Sequence, residues 1–407
     1  MFPAVLISFV AFLLRVFHLS TPKGLVFDEI YYVDGARDYL KYGVELTKGA
    51  PEFVVHPPVG KWLIAAGIKL FGNHEFGWRI AVAIAGTLTV YLTAQIALRI
   101  FYERKWALLA AVLMTLDGLN LVMSRTALLD IFLTLFILLS VNAWLKGKYL
   151  SFAIYLGLAM GSKWSALYYM MVFLALELIL NRKVIRVIRV GATSGLVYIA
   201  TWFGWFASNN GWDRNAKSNP IFSLIYYHKE MLGFHTNLTE KHSYQANPWS
   251  WLIMGRPTSF FYQAPKGCGA KDCAQEVLAL GTPILWWLAA IAFVFLIGVN
   301  LHNFAMRELD LGSLIPFIGI IAGLVPWFYF QKRTVFTFYA IAFEPFMILA
   351  LVLLAKVAYE YDERFKYLIA AVVIVIAINF IYFYPIFTGS SIPYKSWYSR
   401  MWWSSWI

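Results

Sequence analysis

Long, uninterrupted apolar runs constrain this chain more than any other feature. Leu368 to Phe383 reads LIAAVVIVIAINFIYF, without the alternation that the strands of a membrane barrel would show. Backbone groups in a bilayer core must find partners within the segment, so such runs form spanning helices. Charged residues make up only 14% of the 407 residues, against roughly 25% in soluble domains. We therefore expect an all-α polytopic membrane protein.

Eleven apolar segments are candidate spans, with edges defined only to within several residues. Lys163 and its small neighbours interrupt a longer run, which we divide there. The first segment has neither a basic start nor a small-residue cleavage site after it, so we expect a retained span rather than a signal peptide. The segments are 1–19, 77–100, 106–122, 125–145, 149–163, 164–181, 186–207, 282–301, 312–330, 334–356 and 366–388.

The short loops predict the orientation. One side collects most of the basic residues, namely Arg99, Arg104, Lys105, Lys146, Lys148, Arg182, Lys183, Arg186, Arg189, Arg307, Lys356, Arg364 and Lys366. The positive-inside rule assigns that side to the cytoplasm. The N-terminus is then inside, the C-terminus is outside, and the long loops 20–76 and 208–281 are external. The net charge of +12 reflects this topology and anionic headgroups rather than nucleic acid binding.

The external loops carry the patterns of folded segments. Asp34, Arg37, Asp38 and Lys41 follow helical spacing. A second helix is expected around Lys61 to Lys69, lying in the membrane interface. Cys268 and Cys273 are expected to form a local disulfide on an oxidising side. No repeat or linker is visible, so residues 1–407 are expected to form one integral domain.

Asp28 and Glu29 are adjacent carboxylates at the exit of the first apolar segment. Ionised carboxylates avoid apolar surroundings unless they are paired or used. Asp130 lies within the fourth segment with Arg125 close by, and Asp117 ends the third segment. A site-organising role is the favoured interpretation of Asp130, whereas Asp117 is equally well explained as a solvated helix end.

Four cations fall on the external side, against the positive-inside bias: Arg79, Lys163, Lys332 and Arg333. A phosphate held between helices would compensate them, and snorkelling to the interface is the alternative for each one. His228, His235 and His242 do not match a compact metal motif. The carboxylates leave a divalent metal open, but no ligand spacing calls for one, and no cofactor is predicted.

Several motifs occur together in order: FDE (27–29), HPPVGKW (56–62), GWRIAVAIAGTLTVYL (77–92), SRTALLD (124–130), NPWSWLIMGRPTSFFY (247–262) and RMWWSSWI (400–407). This set resembles the protein O-mannosyltransferase family, its bacterial branch most closely, over nearly the whole chain. The large lumenal MIR domain of eukaryotic members is replaced here by loop 208–281 alone.

The resemblance implies a GT-C-type glycosyltransferase of the bacterial plasma membrane. Such an enzyme transfers mannose from a polyprenyl phosphate to Ser or Thr of exported proteins, with the Sec translocon as a candidate route for the acceptor. The donor is β-linked and the product α-linked, so the transfer inverts configuration. The family's acidic pair matches Asp28 and Glu29, its arginine matches Arg79, and the acid of its LLD segment matches Asp130.

On this basis we assign provisional roles. Asp28 is the expected general base, since one displacement needs one base opposite the leaving group, and Glu29 is expected to position the acceptor. The residues expected at the donor phosphate or sugar are Arg79, Arg125, Asp130, Lys163, Lys332 and Arg333. Those expected to contact the acceptor or shape the site are His56, Lys61, His242, Trp249 and Arg256.

Two other classes compete with this interpretation. A related GT-C enzyme acting on a lipid or a cell-wall polymer would share the base, the phosphate site and the topology. A transporter would place its polar groups near the midplane, often with internal repeats. This chain has its polar groups at one face and shows no repeat, which disfavours the transporter.

Overall fold

The computed structural model describes residues 2–407, within which the chain forms nineteen α-helices, five short β-strands and two 3₁₀ helices. The first part contains α1 (Phe2–Val16), α2 (Glu29–Tyr42), β1 (Leu46–Thr47), β2 (Ala50–Pro51), α3 (Val59–Phe71), α4 (Glu75–Phe101), α5 (Arg104–Thr115), α6 (Gly118–Met123), α7 (Asp130–Leu145), α8 (Tyr149–Ser162), α9 (Ala166–Asn181), α10 (Val184–Ala200) and α11 (Phe203–Ala207). The second part contains α12 (Pro220–Asn237), α13 (Pro248–Trp251), β3 (Thr258–Gln263), β4 (Cys273–Ala279), α14 (Pro283–Met306), α15 (Leu311–Leu324), α16 (Pro326–Tyr329), a 3₁₀ helix (Thr337–Ala342), α17 (Glu344–Tyr361), α18 (Phe365–Thr388), β5 (Ser391–Pro393), α19 (Tyr394–Tyr398) and a 3₁₀ helix (Ser404–Trp406).

Each of the eleven predicted apolar segments contains a helix. Among residues 2–407, four helices are long and apolar enough to cross a membrane by themselves, namely α4, α14, α18 and the continuous stretch Leu311–Tyr329. Shorter apolar helices such as α1 pack with them. On α1, small or polar residues such as Ala4 and Ala11 face the bundle, whereas Phe9 and Leu13 are exposed on the opposite face. This division is typical of a helix with one side toward lipid.

The tenth predicted segment, 334–356, differs from the structure. Its α-helix begins only at Glu344, and the 3₁₀ helix Thr337–Ala342 occupies the earlier part. Apolar composition alone does not distinguish a buried 3₁₀ helix from the start of a span. The difference matters because this segment brings Tyr339 to the site described below.

The first external loop is folded, as its spacing predicts. It forms α2, the hairpin of β1 and β2, and α3. α3 lies close against α4 where two glycines meet: a Cβ on Gly67 would clash with the carbonyl oxygen of Gly77. This close approach places the start of α4, with Arg79, beneath the loop that leads into α2.

Lys61 does not lie on a headgroup-facing stripe of α3. It is 2% exposed, its ammonium pairs with Glu45, and it donates to the carbonyl of His56 at 3.1 Å. A buried lysine requires such partners because the interior does not solvate its charge. The contact to His56 ties α3 to the segment that leads into it.

The second external loop contains a small sheet that the sequence did not predict. β4 lies in the middle, antiparallel to β3 on one side and to β5 on the other. Cys268 and Cys273 form a disulfide in the β3–β4 connection. The pairing of β4 with β5 joins this loop to the chain after α18.

Candidate active site

A cavity of about 820 Å³ opens between the two external loops and the segment before α17. Several sections of the chain contribute to it: the start of α2, the hairpin of β1 and β2 with Glu45 before it, the residues between β2 and α3, Lys61 of α3, the end of α12, the segment around Arg333, and the 3₁₀ helix after it. Its lining includes Asp28, Tyr31, Tyr32, Glu45, His56, Lys61, His235, Arg333, Phe336 and Tyr339. Three residues predicted from distant motifs, Asp28, His56 and Arg333, therefore meet in one cavity.

The backbone before Asp28 is held in an uncommon conformation. Phe27 has φ of 48°, which is unusual for a large side chain and marks local strain. Its ring stacks on Phe260 at 4.6 Å and meets Phe338 edge-on at 5.6 Å. These aromatic contacts hold the turn that presents Asp28 at the start of α2.

Asp28 has the electrostatics of a base that works near neutral pH. Burial raises the pKa of its carboxyl to about 6; the charge of Lys163 opposes this rise, and that of Asp130 adds to it. A side-chain hydrogen bond with Tyr32 favours the ionised form. A carboxylate with a raised pKa in a cleft is a candidate general base.

Glu29, the neighbour of Asp28, has a different environment. Its two oxygens accept from Nε and Nη2 of Arg79, each at 2.8 Å, and from the backbone amides of Val26 and Ala127. Glu29 and Arg79 are both fully buried. The carboxylate is thus used within the protein rather than presented to an acceptor.

All five N–H groups of Arg79 are also used within the described residues. Beyond Glu29, its Nη atoms donate to the carbonyl oxygens of Leu19, Pro22 and Gly24 at 2.8–3.3 Å. This geometry leaves Arg79 no free donor and argues against the phosphate contact suggested by its motif. The ion pair instead joins α4 to the loop that carries Asp28.

Lys163 and Asp130 form an ion pair beside the cavity. Lys163 lies between α8 and α9, and its Nζ is 2.7 Å from Oδ1 of Asp130, the first residue of α7. The ammonium also lies over the ring of Tyr339 at 4.2 Å. Both residues line a small pocket that adjoins the main cavity through Tyr339.

Arg333 is the cation of the predicted set that lines the main cavity. Its guanidinium lies 5.7 Å from the ring centre of Trp327, and Nη2 is 3.2 Å from Nδ1 of His235. Its buried Nε has no hydrogen-bond partner within residues 2–407. Arg333 itself lines the cavity, and its guanidinium makes one hydrogen bond among the described residues, so its remaining Nη N–H groups are suited to an anionic ligand.

Two other predicted cations are placed elsewhere. Lys332 is exposed and does not line the cavity. Arg125 donates to the carbonyl oxygens of Arg15, Phe17 and His18 at 2.7–2.9 Å. Arg125 is therefore used to bind backbone carbonyls at and just beyond the end of α1.

Three residues predicted to shape the acceptor site lie outside the cavity lining. Arg256 binds backbone carbonyls of Ser243 and of the C-terminal residues Ser405 and Ile407. Trp249 is 59% exposed. His242 belongs to an exposed turn and touches the cavity only through Phe336, whose ring centre is 5.1 Å away.

Sequence reasoning missed three lining residues of the cavity, Tyr32, Glu45 and Tyr339. Tyr32 follows Asp28 at i+4, the spacing that brings side chains together on a helix, and this was the available signal. Glu45 and Tyr339 had none, because their roles depend on partners distant in sequence. Within residues 2–407 no group of three or more His, Cys, Asp or Glu side chains is arranged to hold a metal.

Comparison with known proteins identifies the family of the chain. Residues 221–406 match the family described as the C-terminal four TMM region of protein-O-mannosyltransferase, and residues 5–75 and 55–205 match families described as dolichyl-phosphate-mannose-protein mannosyltransferase. Polyprenol-phosphate-mannose–protein mannosyltransferases from Mycobacterium tuberculosis and Corynebacterium glutamicum are each 30% identical to the chain. Each alignment covers 94% of the chain, and 86% and 88% of those proteins respectively.

Solved structures show the same fold. The S. cerevisiae protein O-mannosyltransferase Pmt1-Pmt2 complex bound to the sugar donor superimposes with a TM-score of 0.83 at 15% identity, over 100% of this chain and 92% of that chain. ArnT from Cupriavidus metallidurans bound to undecaprenyl phosphate gives a TM-score of 0.56 at 18% identity, over 87% of this chain and 58% of that chain.

The helical bundle therefore has the GT-C fold, and the family matches define the chain as a membrane glycosyltransferase. Within that class, the chain belongs to the protein O-mannosyltransferase family.

Proposed function

We propose that this enzyme transfers mannose from polyprenyl-phosphate-mannose to Ser or Thr hydroxyls of exported proteins, with inversion at the anomeric carbon. The observation that carries the proposal is the presence of Asp28 and Arg333 in one cavity of a protein O-mannosyltransferase. Asp28 can take up a proton there, and Arg333, whose guanidinium makes one hydrogen bond among the described residues, can donate to a phosphate.

The proposed reaction is a single displacement. The acceptor oxygen forms a bond to C1 of mannose while the bond from C1 to the phosphate oxygen breaks. The hydroxyl proton passes to the Asp28 carboxylate, and the bonding electron pair leaves with polyprenyl phosphate. A hydroxyl is a weak acid, so a base that accepts its proton as the new bond forms lowers the barrier.

Charge compensation of the departing phosphate is the second requirement. Arg333 is the proposed direct donor, because it lines the cavity and its guanidinium hydrogen-bonds only to His235 among the described residues. Lys163 lies in the adjoining pocket and is already paired with Asp130. We assign that pair to the sugar end of the donor, where a carboxylate can accept from mannose hydroxyls.

Glu29 and Arg79 receive a supporting role in this proposal. Their buried ion pair ties α4 to the loop before α2 and so fixes the position of Asp28. Neither residue has a hydrogen-bonding group left for substrate. This role replaces the acceptor and phosphate contacts that the motifs suggested.

We further propose a bacterial plasma membrane location, with the cavity on the extracytoplasmic side and acceptors arriving through the Sec translocon. The distribution of basic residues supports this orientation. Basic clusters follow the C-terminal ends of α4, α7, α9 and α14, and none of them lies in the two long loops that line the cavity. No metal is required by the proposed step.

The test is transfer by the purified full-length protein in lipid. Polyprenyl-phosphate-[³H]mannose is incubated with a Ser/Thr-rich peptide, and the product linkage is determined by NMR. The proposal predicts α-mannosyl peptide from a β-linked donor. Retention of the β configuration would contradict the displacement, and label found only in lipid or polymer would favour the alternative acceptor class.

A further inference from the structure

His235 makes two hydrogen bonds that determine its tautomer. Its Nε2 lies 2.8 Å from the carbonyl oxygen of Val55, and its Nδ1 lies 3.2 Å from Nη2 of Arg333. A carbonyl oxygen only accepts, so Nε2 carries the hydrogen. A guanidinium only donates, so Nδ1 offers its lone pair. Both bonds are made together only by the neutral imidazole.

The surroundings keep this ring neutral. Burial lowers the pKa of His235 to about 4, and the charges of Arg333 and Lys163 act in the same direction, while the Val55 carbonyl opposes them. Besides these two cations, the titratable group facing the ring is His56, whose ring centre is 5.4 Å away. The pKa of His56 is also held well below its usual range, chiefly by burial.

Arg333 depends on few other contacts. Trp327 lies against the guanidinium, and Nε has no partner within the described residues. The hydrogen bond from Nη2 to His235 is the contact that restrains one end of the guanidinium group. The Val55 carbonyl, in the segment before α3, holds the His235 ring at the end of α12. The ring in turn holds the Arg333 guanidinium.

We propose that His235 is a positioning residue: its neutral Nδ1 holds the Arg333 guanidinium in the orientation that binds the phosphate of the polyprenyl donor. The inference rests on the proposed function, since it concerns the phosphate end of the same cavity. His235 itself does not touch the reacting atoms.

Two substitutions separate the two hydrogen bonds. His235→Gln places an amide near the Nε2 position, where it keeps the bond to Val55 and removes the acceptor for Arg333. His235→Asn places an amide oxygen near the Nδ1 position and so restores that acceptor. The matched control is His302→Gln, because His302 is an exposed histidine near the C-terminal end of α14.

The measurements are the Kd of polyprenyl phosphate, the KM for polyprenyl-phosphate-mannose, kcat, and Tm, all on the full-length protein in lipid. His235→Gln should raise both Kd and KM roughly tenfold, which is the effect of losing a hydrogen bond to a charged group. Its kcat and Tm should change little. His235→Asn should recover most of that loss. In an Arg333→Gln background, His235→Gln should have no further effect.

Three outcomes would overturn the proposal: unchanged donor affinity in His235→Gln, a purely structural fall in Tm shared by both substitutions, or a full additional loss in the double variant. The Kd for polyprenyl phosphate requires no mannosyl transfer. A wild-type protein that binds this lipid through His235 and Arg333 but transfers no mannose would refute the proposed function and leave this inference standing.

Discussion

Glu29 and Arg79 form a fully buried, two-point ion pair, and every remaining N–H of Arg79 donates to a backbone carbonyl of the loop between α1 and α2. The residue next to Glu29 is Asp28, the proposed base. The two adjacent acids therefore have different roles: the Glu29 carboxylate fixes the loop, and the Asp28 carboxylate faces the cavity.

Removing either partner of that ion pair should destabilise the fold. Glu29→Gln or Arg79→Gln leaves a buried charge without its counter-charge, which costs about 3–5 kcal/mol. We expect a lower Tm and poor membrane insertion for both variants. A double-mutant cycle should give strong coupling between the two positions. Wild-type Tm in Glu29→Gln, together with lost activity, would instead assign Glu29 to the chemistry.

The pH dependence of transfer should report Asp28. Its pKa is raised to about 6 and the base acts when deprotonated, so kcat/KM should fall as the pH drops through about 6 and level off above it. The measurement is a pH profile of kcat/KM with the peptide acceptor at low concentration. A profile that is flat from pH 5 to pH 8 would contradict the assignment.

The charges beside Asp28 should move that acidic limb in opposite directions. Lys163 lowers the pKa of Asp28 and Asp130 raises it. Lys163→Gln should therefore shift the limb to higher pH, and Asp130→Asn should shift it to lower pH, each with reduced donor affinity. Shifts of the same sign would show that the two charges do not act on the group that titrates.

The proposed orientation can be checked by cysteine labelling. Single cysteines at the exposed positions Lys266 and Lys146 are introduced into a Cys268→Ser/Cys273→Ser background. A membrane-impermeant maleimide applied to intact cells should label the first position and not the second. Labelling of the second position alone would invert the topology.

The sequence predicted the bundle well, because long apolar runs leave few alternatives in a bilayer. It also singled out Asp28, which lines the cavity. For the phosphate it favoured Arg79 over Arg333, because the family resemblance pointed to Arg79 and both arginines fall on the predicted external side. What differs is the number of carbonyls that the fold brings to each one, and those carbonyls come from residues distant in the chain.

The small sheet and the 3₁₀ helix were missed for related reasons. β5 pairs with β4 across more than one hundred intervening residues, and it has only the three residues Ser391–Pro393. Such a strand is too short to show periodicity. The 3₁₀ helix Thr337–Ala342 is as apolar as a span, so composition does not reveal the turn that places Tyr339.

The central claim is that Asp28 takes up the acceptor proton, and Asp28→Asn tests it most directly. The variant is nearly isosteric, so its Tm and its affinity for polyprenyl-phosphate-mannose should match the wild type. Asp272→Asn, an exposed carboxylate outside the cavity lining, is the control. Transfer to the peptide should fall by about 10²–10⁴-fold in Asp28→Asn and stay unchanged in the control. Wild-type transfer rates in a folded, donor-binding Asp28→Asn protein would contradict the account.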